Sequence, residues 1–534
     1  MACKYVFVLG GVVSGLGKGI TAASLGRLLK SRGLKVTMQK LDPYLNRDPG
    51  TMNPIQHGEV FVTEDGAETD LDVGHYERFI DENLNKHSNV TSGKIYYTVL
   101  ENERKGVYAG STVQMIPHIT NMIQDKIRLN AKSNKADVAI VEVGGTVGDY
   151  ESLPFLEAIR QFSLEEGYNN CMYIHVALVP FITPSNELKT KPVQHSVKEL
   201  LSLGIQPDVL VCRSDRPIGK EIKEKLSLFC NVKTASIIEN INAPSLYEVP
   251  LALEEEGLAT QVIKRLRLRC KEKDLSDWTA MVEMSKQIDH QVTIGLVGKY
   301  TELKDAYLSV VESLNHAAIF THTDVNIRWI EAEAVTPETA DKELKGLDGI
   351  LIPGGFGVRG TEGKIETARY ARENKIPFLG ICLGMQIATI EFARNVAGLP
   401  GAGSVELDPN VKDPVIHLMS EFEKKRKMGG TLKLGSYPVE LTPNSHVSAA
   451  YGTTKIDERH RHRYAFNLDY LDRLKKSGLK ITGFSPDRKI VEVVEIEDHP
   501  WYVACQYHPE FKSRPNRPHP LFLAYLKAVL KNQK

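Results

Sequence analysis

An apolar run over residues 5–9 passes without a break into Gly10-Gly11-Val12-Val13-Ser14-Gly15-Leu16-Gly17-Lys18-Gly19, and a helix-favouring stretch follows over residues 20–30. A strand that ends in a glycine loop and opens a helix is the first unit of a parallel α/β sheet. The loop must take backbone conformations that side chains resist, and the helix must cross back over the sheet. Further strands are predicted over residues 35–39, 138–143, 172–179 and 208–212, with helical stretches between them. A second set covers residues 292–298, 327–330, 349–352 and 377–380 and ends in a hairpin-like stretch over residues 480–507. The pattern predicts two α/β domains: an N-terminal one with a P-loop-like parallel sheet and a C-terminal one of similar class. Residues 265–290 are charged and lack a strand pattern, so the division is placed there. The domains are 1–266 and 291–534, with 267–290 a linker of helical character. Residues 408–427 read as a mobile surface region.

A chain of 534 residues is too long for one hydrophobic core. Its 42% hydrophobic and 25% charged residues are ordinary for a globular protein, and no apolar run reaches the roughly 18 residues needed to span a bilayer. The first strand begins too early for a signal peptide to precede it, so a soluble, cytoplasmic protein is expected. Lys plus Arg and Asp plus Glu both total 67, which leaves no global field to attract nucleic acid or a membrane surface. Any anion site must be local. The seven cysteines include no C-x-x-C pair for metal or redox work.

The glycine loop supplies backbone N–H groups and a helix N-terminus for phosphate, and Lys18 supplies a point charge. The usual phosphate-loop pattern is broken twice: Val12 stands where its first glycine belongs, and Gly19 stands where a Ser or Thr hydroxyl would hold Mg²⁺. The metal must then lean on carboxylates. Asp72, and Glu142 at the end of a strand, are the candidates. A dinucleotide fingerprint would need Gly at position 20, which is Ile20. A second basic element, Lys189-Thr190-Lys191-Pro192-Val193-Gln194, lies on a loop after a strand, where it could hold another phosphorylated ligand.

Further on, Gly380-Ile381-Cys382-Leu383-Gly384-Met385-Gln386 reads as a nucleophile elbow with cysteine in place of serine. The turn exposes the sulfur and the helix N-terminus favours thiolate. Downstream, His508 can take and return a proton and Glu510 can orient its ring. Pro353-Gly354-Gly355-Phe356-Gly357 closes a strand and offers N–H groups for an oxyanion.

These blocks, with Lys40-Leu41-Asp42-Pro43-Tyr44-Leu45-Asn46, Gly58-Glu59-Val60-Phe61-Val62, Glu142-Val143-Gly144-Gly145-Thr146-Val147-Gly148-Asp149 and Arg459-His460-Arg461-His462-Arg463-Tyr464, resemble the CTP synthase family over essentially the whole chain. The resemblance implies a synthetase (amidoligase) domain followed by a class I glutamine amidotransferase domain. On that resemblance, ATP is expected to phosphorylate the uracil O4 of UTP, and ammonia released from L-glutamine then to displace phosphate and give CTP. It assigns Gly15, Leu16, Gly17, Lys18, Gly19, Ile20 and Asp72 to ATP, and Asp72 and Glu142 to Mg²⁺. Ser14, Asp149, Tyr150, Glu151, Lys189, Thr190, Lys191, Pro192, Val193, Gln194 and Lys225 go to UTP or inhibitory CTP. Lys18 and Lys40 would steady the transferring phosphoryl group. In the second domain Cys382 would form a glutamyl thioester with His508 and Glu510, while Gly355, Leu383, Gly384, Met385, Gln386, Glu406 and Arg463 would hold glutamine. The resemblance also implies a shielded passage for ammonia, GTP activation, a homotetramer and filaments. A GTP-responsive lid would lie near residues 429–435, where Lys433 replaces the family's usual Arg.

Other readings are an amidotransferase that makes an amide on a carboxylate, a ParA-like ATPase switch and a filament protein with a dead site. The second is disfavoured by Val13 and Gly19, which stand where that group keeps Lys and Ser or Thr. The third is disfavoured by the intact Cys382, His508 and Glu510.

Overall fold

A computed structural model describes residues 3–13, 15–419 and 433–533. The chain divides into two compact units. Unit 1 comprises residues 1–49 and 69–282, and unit 2 comprises residues 50–68 and 283–534. The excursion of residues 50–68 out of the first half of the chain into unit 2 has no signature in the hydrophobic pattern.

Unit 1 is built on a seven-stranded parallel sheet. Its strands are β1 (Lys4–Gly11), β2 (Val36–Asp42), β3 (Asn89–Thr91), β4 (Val138–Val143), β5 (Cys171–Leu178), β6 (Val209–Ser214) and β7 (Ile237–Ile241), in the spatial order β7-β6-β5-β1-β4-β2-β3. All five predicted strands are present. The two that sequence reading missed, β3 and β7, are the edges: β3 has one apolar residue in three and β7 is interrupted by Glu239 and Asn240, so the apolar signal is weak although β3 is buried. In β1, Tyr5, Phe7 and Leu9 enter the core on one face while Val6 and Val8 are buried on the other. Burial on both faces is why the run is continuously apolar rather than alternating.

Unit 2 carries a nine-stranded mixed sheet. Its strands are β8 (His290–Gly298), β9 (Thr323–Glu331), β10 (Gly349–Ile352), β11 (Phe378–Ile381), β12 (Lys433–Leu441), β13 (Lys455–His462), β14 (Lys480–Phe484), β15 (Val491–Glu495) and β16 (Tyr502–Cys505). The order is β9-β8-β10-β11-β16-β15-β14-β12-β13, parallel as far as β16 and antiparallel beyond it. Apolar cores cover both faces. The two-domain α/β class therefore holds. The antiparallel pair β12 and β13 escaped prediction because charged and histidine residues dominate it. Part of the stretch expected to be mobile is a strand, Asp413–Leu418, with Val415 and Ile416 buried. The last residues of that stretch, 420–427, and residues 429–432 of the expected lid lie outside the described residues.

Within residues 267–290 the chain forms the helix Ser276–Ser285. Its Trp278 is fully buried against Phe79 and Tyr247, with ring centroids 5.5 and 5.9 Å away, and its indole N–H donates to the Tyr247 carbonyl at 2.8 Å. The Arg27 guanidinium lies 4.9 Å over the same ring and pairs with Asp277 through contacts of 2.6 Å. Among the described residues no helix is long and apolar enough to cross a membrane. Removing this buried indole leaves a cavity and takes one hydrogen bond from the Tyr247 carbonyl. Trp278→Ala is therefore expected to lower the stability of unit 1 by about 3–5 kcal/mol, read from urea unfolding of the full chain.

Candidate active sites

In unit 1 the glycine loop leads into helix α1 (Lys18–Lys30), whose N-cap, Gly17, is left-handed with φ 79°. Nothing lies within 4 Å of the space a side chain would take at Gly17, so glycine is required there by backbone conformation rather than by crowding. Position 19 shows the opposite constraint. A methyl group on Gly19 would lie 2.5 Å from an Asp72 carboxylate oxygen and 3.3 Å from one of Glu142. A Ser or Thr side chain does not fit where those two carboxylates meet, which gives the broken phosphate-loop pattern a physical reason.

Asp72 is in the first turn of helix α2 (Leu71–Ile80), capped by the Asp70 side chain, and Glu142 sits near the C-terminal end of β4. The Lys40 ammonium, from β2, bridges them: it pairs with Asp72 and stands 3.0 Å from Glu142. Tyr76 donates to Glu142 as well. Burial alone would strip Lys40 of its proton, but the Asp72 and Glu142 carboxylates outweigh it and hold the amine charged well above the ordinary lysine range. Glu142 is pushed up by burial, with Lys40 opposing. Lys18 donates to the Gly145 carbonyl at 2.7 Å and is pulled down by burial. Two carboxylates converging beside a phosphate loop form a hard-oxygen donor set of the kind Mg²⁺ takes, with the remaining positions left to phosphate oxygens and water.

The other residues expected around a nucleotide fall on two nearby surfaces. Asp149 accepts from the Thr146 N–H at 2.8 Å, and Tyr150 and Glu151 are exposed beside it. Lys189 pairs with Glu187, and the Lys225 charge also acts on Glu187. Thr190 precedes the helix Lys191–Ser202 and accepts from the Gln194 amide at 3.0 Å. Val193 is a core residue, so only its backbone is available to a ligand. Ser14 lies outside the described residues.

In unit 2, β11 ends at Ile381 and helix α3 (Leu383–Asn395) begins one residue later. Cys382 occupies the turn with φ 52° and ψ −100°, a strained conformation for a side-chain-bearing residue and the mark of a nucleophile elbow. The Leu383 N–H lies in the first turn of α3, where no intrahelical acceptor exists. His508 follows β16, and its Nδ1 lies 2.7 Å from Glu510 Oε1. Burial would lower the imidazolium, but the Glu510 carboxylate and the Cys382 sulfur together raise it to about 10. Gly354 must lack a side chain here, since a methyl group would lie 2.7 Å from His508 Cε1. The loop 353–357 is fixed from behind. Lys299 donates to the Phe356 carbonyl and, at 2.7 Å, to that of Gly357. Glu406 accepts from the Gly357 N–H at 2.9 Å and is raised by burial, with Lys299 and Arg463 opposing. Leu383 and Met385 point into the core, so only their backbone can meet a ligand, and the Gln386 amide is turned inward to the Tyr464 carbonyl at 3.1 Å.

Cys382, His508, Gly354, Gly355 and Arg461 line a cavity of about 250 Å³, and the excursion 50–68 supplies one of its walls beside Tyr300, Tyr307 and Val310. Sequence reading missed this wall. Arg461 holds both ends of the excursion, donating to the Gly50 carbonyl at 3.1 Å and to Glu68 at 2.8 Å. Arg459 binds Glu64 at 2.9 Å, and Glu59 accepts from the Ser309 N–H at 2.8 Å. The only prior signal was that Gly58–Val62 and Arg459–Tyr464 both stood among the family-like blocks. A larger cavity of about 760 Å³, near Arg394 and Lys412, contains none of this constellation.

The comparisons with known proteins agree over both units. Residues 4–268 match the model of the CTP synthase N-terminus, and residues 302–528 match that of class I glutamine amidotransferases. The chain is 60% identical over 531 residues to a CTP synthase of Carboxydothermus hydrogenoformans, covering 99% of both chains. It is 61% identical over 529 residues to one of Ruminiclostridium cellulolyticum, again covering 99% of both. A solved glutaminase domain of Trypanosoma brucei CTPS with bound acivicin is 37% identical, with a TM-score of 0.43, over 46% of this chain and 95% of that one.

Arg461 makes charged hydrogen bonds worth roughly 1.5–3 kcal/mol each to the two ends of the excursion. Arg461→Met is expected to speed amide hydrogen exchange in residues 50–68 by about tenfold or more, with the strands of unit 2 unchanged.

Proposed function

The chain belongs to the CTP synthase family, and on that premise we propose how its residues carry out the conversion of UTP, ATP and L-glutamine to CTP, ADP, phosphate and L-glutamate. The observation that carries the glutaminase half is the Cys382, His508 and Glu510 constellation, with the loop 353–357 beside it.

With its proton on His508, Cys382 attacks the side-chain amide carbon of glutamine. The S–C bond forms, and the carbonyl electron pair moves onto oxygen, where the N–H groups of Gly355 and Leu383 receive it. When that pair returns, the C–N bond breaks and His508 gives its proton to nitrogen, releasing ammonia. Water then attacks the thioester with His508 as base, the C–S bond breaks, and glutamate leaves. Glu510 keeps the imidazole oriented throughout. Arg463, whose charge acts on Glu406, would pair with the glutamine carboxylate.

In unit 1, the loop from Ser14 to Ile20 holds ATP, and Asp72 and Glu142 hold Mg²⁺, which when bound neutralises charge on the phosphates. The uracil O4 attacks the γ-phosphorus as the bond to ADP breaks, and Lys18 and Lys40 stabilise the charge on the moving group. Ammonia then attacks C4, a proton is lost and phosphate leaves. Asp149 to Glu151, Lys189 to Gln194 and Lys225 hold UTP, or CTP as a feedback inhibitor. Only neutral ammonia has the lone pair for this attack, so it must travel under cover from water. GTP activation, a homotetramer, filament formation and a cytoplasmic location complete the proposal, with residues 1–266 as the synthetase domain, 267–290 as the linker and 291–534 as the amidotransferase domain. The broken phosphate-loop pattern, explained by the carboxylates beside Gly19, supports an ATP site of this family rather than a switch ATPase.

The test is absorbance-monitored conversion of UTP with ATP, Mg²⁺ and either glutamine or ammonium chloride. Cys382→Ala is expected to lose the glutamine-driven reaction and keep the ammonia-driven one. Lys40→Met is expected to lose about a hundredfold or more with either nitrogen source. Absence of CTP from the unaltered protein with both sources would overturn the assignment.

A further inference from the structure

Among the described residues the Cys382 sulfur has two polar neighbours besides His508. The carbonyl of Arg461 lies 3.8 Å away and can only accept, so it suits the protonated thiol. The side-chain amide nitrogen of Gln506 lies 3.7 Å away and can only donate, so it suits the thiolate. Gln506 is fully buried directly beyond β16, and its backbone N–H donates to the Glu492 carbonyl at 2.9 Å.

The amide of Gln506 is oriented by a second amide. Gln386 Nε2 lies 3.1 Å from the Tyr464 carbonyl and 3.4 Å from Gln506 Oε1. A backbone carbonyl accepts only, so the nitrogen end of Gln386 must face it. That nitrogen in turn claims the oxygen end of Gln506, which leaves the Gln506 nitrogen pointing at the sulfur. Amide orientations are settled by such networks, and this one has a single consistent solution.

We propose that Gln506 is a catalytic hydrogen-bond donor to the Cys382 thiolate, held in that orientation by Gln386. The inference rests on Cys382 being the glutaminase nucleophile and adds to the triad a residue that touches the reacting atom. His508 receives the thiol proton, but the anion left behind is buried and needs a donor of its own. The charged and titratable groups facing the sulfur are few. His508 favours the anion, and Glu510 is engaged by His508. The neighbouring Cys505 thiol is pushed up by burial and stays neutral, while Arg461 presents its carbonyl. Gln506 is thus the neutral group that discriminates thiolate from thiol. As the S–C bond forms, charge leaves the sulfur and this hydrogen bond weakens, so its contribution is to ionisation and aim before attack.

The test measures alkylation of Cys382 by iodoacetamide against pH in the full-length protein, read by peptide mass spectrometry. Gln506→Met keeps the length and removes the donor, and is expected to move the inflection up by about one pH unit. Gln506→Glu keeps the shape but places an acceptor at the sulfur. It should move the inflection further and slow alkylation at neutral pH by about tenfold or more. Gln386→Met should give a smaller shift of the same sign. An unchanged inflection in both Gln506 variants, or equal shifts in the two, would reduce Gln506 to a packing residue. If Gln506→Met does not fold, the Glu variant and Gln386→Met carry the same decision. Alkylation reads the thiol and not CTP, so failure here and failure of the assigned reaction are separately visible.

Discussion

Two missing methyl groups set the geometry of both reactive centres. At Gly19 the absent side chain is the space in which Asp72 and Glu142 approach the first turn of α1. At Gly354 it is the space in which the His508 ring lies over the oxyanion loop. In each case a backbone that carries N–H groups comes within reach of a charged side chain, and a Cβ would stand only 2.5 Å from it at Gly19 and 2.7 Å at Gly354, so the two would have to move apart. Such a displacement is enough to lose a catalytic alignment. The glycines are therefore requirements of distance, in contrast to Gly17, where the surrounding space is open and only the backbone conformation calls for glycine.

Charge buried at those distances has to be balanced locally. The Lys40 ammonium is enclosed between Asp72 and Glu142, and removing it would leave two carboxylates facing one another in a dry interior. His508 and Glu510 form the same kind of arrangement in unit 2, with the Cys382 sulfur as the third member. The difference between them is chemical. Lys40 is kept permanently charged, as suits a group that stabilises a moving phosphoryl charge. His508 is held by Glu510 through one ring nitrogen only, which leaves the other free to take up a proton and give it away.

The central strands of unit 1, such as β1 and β4, were legible because they are buried on both faces and read as nearly unbroken apolar runs. β13 was not, since Arg459, His460 and His462 occupy buried positions through pairing rather than through hydrophobicity. Cys382, His508 and Glu510 could be found from the chain because their chemistry is tied to local motifs, a strand-to-helix turn in one case and a two-residue spacing in the other. The excursion 50–68 could not. Its residues carry no apolar period and reach the Cys382 cavity through Arg459, Arg461 and Ser309, about 250 to 400 positions further along the chain. Such partners are not visible in a local window.

The residues that sequence reading missed share a property that explains why. Lys299, Arg461 and Gln506 act mainly by holding something else in place: the carbonyls of a loop, the two ends of an excursion, the charge on a sulfur. Lysine, arginine and glutamine are common residues, and their meaning here comes from burial and from the partner they face. A nucleophile, by contrast, needs a particular side chain on a particular turn. The supporting shell has to be built where the fold brings distant segments together, because a group held only by its sequence neighbours would keep its rotamer freedom and lose the alignment that the reaction depends on. Unit 2 meets that demand by drawing 19 residues out of the first half of the chain to close its cavity. Residues 50–68 are followed directly by Thr69, Asp70, Leu71 and Asp72, so the segment that walls the Cys382 cavity is four positions from a carboxylate beside the phosphate loop. A change of conformation in that segment has a short covalent route between the two chemistries that the reaction must couple.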